Sequence, residues 1–144
     1  MEQQRIDFIR QHSHVKNLSD KEITATVRML ELNSQYSYHQ LWDKDPDIQQ
    51  LPDEEKFALT LMAQASCDYL LTTKTLIHLF GGTKYHWRKI GRTSPLTDTA
   101  SAISECSSGY YGRGWIIAPH IQTLIRFLKS DFYKNHQFNL THLL

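Results

Sequence analysis

Apolar residues recur at helical spacing along much of the chain. Ile6 and Ile9 fall on one side of residues 3–11, which predicts a short N-terminal helix. Ser19-Asp20-Lys21-Glu22 has the form of a capping box. In it the serine side chain accepts from the Glu22 amide while the Glu22 carboxylate reaches back. Ile23, Val27 and Leu30 follow at i, i+4 and i+7, so a helix is predicted through about Ser34. The segment from Tyr36 to Gln50 is aromatic and acidic and is broken by Pro46, and it reads as loop. Leu51-Pro52-Asp53-Glu54-Glu55 then looks like a helix start, with proline in the first turn and carboxylates at the positive helix end. Phe57, Leu61, Met62, Ala65 and Tyr69 line one face, widened by Leu59 and Leu70, as expected of a central core helix.

The apolar run from Leu76 stops at Gly81-Gly82. Ser94-Pro95 opens a further predicted helix, through Ile103 to about Cys106. Ser108 to Trp115 holds three glycines in six residues and interrupts regular structure, and Trp115 to Ala118 suits a short strand. Pro119 begins a last amphipathic helix with Ile121, Leu124, Ile125 and Leu128 inward. The expected fold class is mainly α: a single-domain bundle over residues 1–144, with five to six helices and one short strand or hairpin near 110–118.

The totals set limits. A chain of 144 residues with 40% hydrophobic and 22% charged residues is long and apolar enough to bury a core without staples. Cys67 and Cys106 are too few for a disulfide framework and lack C-x-x-C neighbours, so they are expected as buried thiols. No apolar run approaches membrane-spanning length and the N-terminus lacks a signal pattern, which leads to the expectation of a soluble, cytoplasmic protein with no membrane partner.

Net charge is +1, unevenly placed. Residues 1–70 carry seven Lys and Arg against twelve Asp and Glu, a balance of −5. Residues 71–144 carry nine against three, a balance of +6. Such a split suits a basic surface that meets phosphate or an acidic protein, and equally suits two halves that neutralise each other on packing.

Thr75 to Arg92 resembles the helix-turn-helix of DNA-binding domains. Leu76 and Phe80 match the inner face of a first helix, Gly81 the turn, Thr83 the cap of the second helix, Trp87 and Ile90 its two anchors, and Gly91 its end. Ile77 stands where the motif usually has a small residue, and Gly82 where it usually has an apolar one. The resemblance implies that Lys84, Tyr85, His86, Arg88, Lys89 and Arg92 stay off the core to reach phosphates or base edges, with Arg113 as an auxiliary phosphate contact. The partner it implies is nucleic acid, DNA ahead of RNA, bound by a regulatory protein without catalysis.

A second class of function rests on Tyr36 to Gln50. Tyr36, Tyr38, Leu41 and Trp42 beside Asp43, Asp45 and Asp47 have the composition of a protein-binding patch, aromatic anchors with a charged rim, as an inhibitor or immunity-type protein would present. A third rests on Tyr110-Tyr111-Gly112-Arg113-Gly114, which is similar to a substrate-cleft segment of plant-type chitinases. Leu61 to Tyr69 is similar to the helix before their catalytic glutamate, with Cys67-Asp68 where that family has His-Glu. Asp68 and Glu105 are the acids such a glycoside hydrolase would use.

Eight histidines form no metal pattern, and His12-Ser13-His14 lacks further ligands. His78, on an apolar helix, is expected as a hydrogen-bonded core residue. No nucleophile elbow or phosphate-binding loop is present. No catalytic residue, cofactor or metal site is therefore assigned.

Overall fold

Ser19 closes the start of the second helix as its sequence predicts: its side chain accepts from the Glu22 amide at 3.1 Å and its own amide donates to the Glu22 carboxylate at 2.9 Å. The computed structural model of the chain describes residues 2–15, 17–36, 39–65, 71–97 and 114–136. Tyr38, Cys67, Asp68, Cys106, Glu105 and Arg113 lie outside the described residues, as does most of the helix expected from Ser94 to Cys106.

The elements are α1 (Glu2–His12), α2 (Asp20–Gln35), a 3-10 helix (His39–Lys44), α3 (Pro46–Gln49), α4 (Asp53–Ala65), β1 (Leu71–Thr72), α5 (Thr73–Phe80), α6 (Lys84–Thr93), β2 (Gly114–Trp115), α7 (Pro119–Leu128) and α8 (Asp131–His136). The protein is mainly helical, with eight α-helices among the described residues against the five to six expected. The strand expected at Trp115–Ala118 sits slightly earlier. It pairs antiparallel with β1, Leu71 opposite Trp115 and Thr72 opposite Gly114, so its partner is distant in sequence.

The segment from Tyr36 to Gln50 departs from the expected loop. Asp45 caps α3 by accepting from the Asp47 amide at 2.9 Å, Pro46 supplies a pre-set first turn, and Ile48 is buried. Gln49 Nε2 then donates to the Leu79 carbonyl at 3.0 Å, which satisfies an orphan group at the end of α5. Two short helical pieces therefore replace a loop because tertiary contacts stabilise them.

The core runs between α2 and α4, which pack together, with α7 closing on α2. Ile23, Phe57, Leu59, Leu76, Ile121 and Leu124 are fully buried in it. At the far side Phe8 stacks on His136 at 3.7 Å and on Phe132 at 5.7 Å, joining α1 to α8. No helix among the described residues is long and apolar enough to cross a membrane.

Glu22 also ties α2 to α7, since His120 Nε2 lies 2.7 Å from its Oε2. Burial pushes the Glu22 carboxyl up, but hydrogen bonds from the Ser19 amide and hydroxyl and from His120 outweigh it and leave the pKa below the ordinary 4.5. A carboxyl depressed in the folded state adds stability above its unfolded pKa and loses it as pH falls through the folded one. Glu22→Ala is therefore expected to cost about 1 kcal/mol near neutrality. The difference from wild type should close below pH 4.5 as Glu22 itself protonates. Urea unfolding across that range measures it, and a gap independent of pH would rule out the ionised carboxylate as its source.

Candidate nucleic-acid interface

Between α5 and α6 the chain turns in three residues, Gly81 to Thr83. Gly81 takes φ +78° and ψ −159°, a region open essentially to glycine alone, and Gly82 follows at φ +84°. A Cβ at Gly82 would sit 3.3 Å from Trp87 Nε1, so an apolar residue there is disfavoured both by backbone and by space. A Cβ at Gly81 meets nothing within 4 Å, so its requirement is purely conformational. Gly81→Ala is expected to cost about 1–3 kcal/mol in chemical denaturation; unchanged stability would mean the turn relaxes freely.

Thr83 caps α6, accepting from the His86 amide at 3.2 Å. Trp87 anchors the helix: it is 2% exposed, its ring lies 5.9 Å from Phe80, and its Nε1 donates to the Gly81 carbonyl at 2.8 Å. One side chain thus closes both the helix–helix contact and the turn. Ile90 and Gly91 complete the buried stripe. Leu76 is fully buried opposite, while Ile77 is 36% exposed and so does not obstruct the approach of the two helices. His78 is exposed, contrary to expectation, because α5 turns Leu76 and Leu79 to the core and leaves His78 on the other side.

Gly91 does not end α6, which continues to Thr93. It is instead the point of closest approach to the core. A Cβ there would lie 2.4 Å from Trp115 Cε2, and the Trp115 ring is itself held edge-on to Phe57 at 5.2 Å.

The opposite side of α6 faces solvent. Tyr85, Lys89 and Arg92 recur at i, i+4 and i+7 and are exposed, Tyr85 at 69%. Lys84 is exposed in the first turn, its Nζ 5.4 Å from the Tyr85 ring centroid. Two of the expected contact residues are placed differently. His86, though exposed, is held by Asp53 of α4, Nε2 to Oδ2 at 2.7 Å. Arg88 is half-buried, with Nε shielded and without a hydrogen-bond partner. Spacing within α6 gives no sign of the Asp53 partner, which lies 33 residues away.

Among the described residues, no lysine or arginine pairs across the two halves of the chain. Arg5 pairs with Glu31, Arg10 with Asp20, Arg28 with Glu55 and Lys56 with Asp53, all within the acidic half. Only histidines cross, His86 to Asp53 and His120 to Glu22, among the described residues. Lys84, Lys89 and Arg92 form no ion pair with a described carboxylate and remain available.

The other patch is divided. Asp43 and Asp47 are exposed, and Asp45 is occupied with capping α3. Trp42, expected as an outward anchor, is 2% exposed and belongs to the core, and Tyr36 is half-buried against it. An aromatic buried in its own core is not offered to a partner, which corrects the assignment of Trp42. Among the described residues no group of three His, Cys, Asp or Glu is placed to hold a metal ion. No protein-family model, curated protein or solved structure matches the chain.

Proposed function

We propose that the protein binds nucleic acid, duplex DNA ahead of RNA, by laying α6 against it. The observation that supports this is the division of α6: Trp87, Ile90 and Gly91 fix one side to the core while Lys84, Tyr85, Lys89 and Arg92 stand free on the other. A ten-residue helix is about 15 Å long, and a major groove about 12 Å wide admits it. In that arrangement Lys84 and Lys89 meet phosphate oxygens. Arg92, whose planar fork suits bidentate acceptors, meets phosphate or a guanine edge. Tyr85 packs its ring on sugar or base. His86 acts at one remove: its bond to Asp53 sets the rotation of α6 on α4.

The chemistry is recognition without bond making. Each phosphate neutralised releases condensed counterions, so affinity falls steeply with salt. Fluorescence anisotropy with random duplex DNA and with RNA, at low and moderate salt, tests the proposal. Binding that weakens with salt, and weakens further in Lys84→Ala/Lys89→Ala, is expected. Absence of salt-dependent binding at micromolar protein would reject it.

A further inference from the structure

A cleft of about 640 Å³ opens between α2, α4 and the end of α6. That volume lies within the range of small-molecule sites, and its floor is apolar: Met29, Ala58, Ile90 and Leu96 are all buried side chains. One wall carries a carboxylate, Glu55. Its Oε1 lies 3.5 Å from Arg28 Nε, long for a charge-assisted bond, and its Oε2 is shielded from solvent with no hydrogen-bond partner. At that distance Arg28 matches the carboxylate charge only in part, and an ammonium brought by a ligand completes the match.

We propose that this cleft binds a small amphipathic amine, with the apolar body on Met29, Ala58, Ile90 and Leu96 and the ammonium on Glu55. The remaining charges set the sign. Asp20 at the rim is held by Arg10, and Lys21 is exposed there, where solvent screens it. Glu54 is exposed and screened in the same way, leaving half-exposed Arg28 as the cation nearest the wall. An anion would face Glu55, and a neutral alcohol would add nothing to the partial match that Arg28 gives it.

The experiment uses the full chain without nucleic acid, so its outcome is separate from the assignment of α6. Titration with 4-phenylbutylamine, 4-phenylbutanol and 4-phenylbutyrate is followed by backbone amide shifts of Ala25, Met29, Ala58 and Leu96. The amine is expected to bind saturably and about tenfold or more tighter than the alcohol, with the carboxylate weakest. Glu55→Gln should erase the preference for the amine while leaving the alcohol unchanged. Ala25→Phe, which fills the cleft, should abolish both, and Thr24→Trp at the exposed rim repeats that arm if Ala25→Phe does not fold. Equal affinity for amine and alcohol, an amine affinity unchanged in Glu55→Gln, or no saturable shift at the cleft residues would each overturn the proposal.

Discussion

Substituting Gly91 with alanine is expected to destabilise the protein by about 3 kcal/mol, against the ordinary preference of helices for alanine. Gly91 lies inside α6 with helical backbone, and propensity alone would favour alanine there by about 1 kcal/mol. The added Cβ, however, would lie 2.4 to 2.6 Å from three atoms of the Trp115 ring. That ring is not a flexible end that swings aside. Trp115 is buried, sits in the small sheet opposite Leu71, and packs edge-on against Phe57. Either α6 lifts from the core or the indole is displaced, so the steric term outweighs the propensity gain. Denaturation of Gly91→Ala, Trp115→Leu and the double variant measures it. A coupling energy that makes the double variant more stable than the two single effects predict identifies the ring as the obstacle. A stabilised Gly91→Ala would show that α6 does not press on Trp115.

Replacing Lys84, Lys89 and Arg92 together with alanine is expected to change binding far more than folding. All three are exposed and none pairs with a described carboxylate, so the unfolding free energy should move by no more than about 0.5 kcal/mol. If each meets one phosphate, the slope of log K against log salt should become shallower by about 3, close to 0.9 for each lost contact. Affinity for duplex DNA should therefore fall most at low salt, where counterion release contributes most. Anisotropy titrations at several salt concentrations give both slopes. An unchanged slope in the triple variant would place any nucleic-acid contact elsewhere on the molecule.

Much of the scaffold was legible in the sequence because it depends on neighbours within one turn. The Ser19–Glu22 box, the Thr83 cap, the Trp87–Ile90 anchors and the start of α7 at Pro119 all rest on residues three or four apart. Long-range contacts account for what was missed. Trp42 looked like an interface anchor because its acidic neighbours Asp43, Asp45 and Asp47 are polar, yet it packs into the core and brings two short helical pieces with it. Gly91 looked like a helix end because glycine often is one. Its use for close approach to Trp115 depends on a strand 23 positions further on. His86 had the spacing of a contact residue, while its partner Asp53 belongs to another helix. Ile77 looked obstructive only while the rotation of α5 was unknown.

We propose that the outer face of α6 meets nucleic acid. A titration of the isotopically labelled protein with a short random DNA duplex at low salt, followed by amide and side-chain shifts, tests it most directly. The predicted result is a set of salt-reversible shifts concentrated on Lys84, Tyr85, Lys89 and Arg92, with the indole signal of buried Trp87 little changed. Shifts confined to other surfaces, such as Asp43 and Asp47, or none at all, would contradict it.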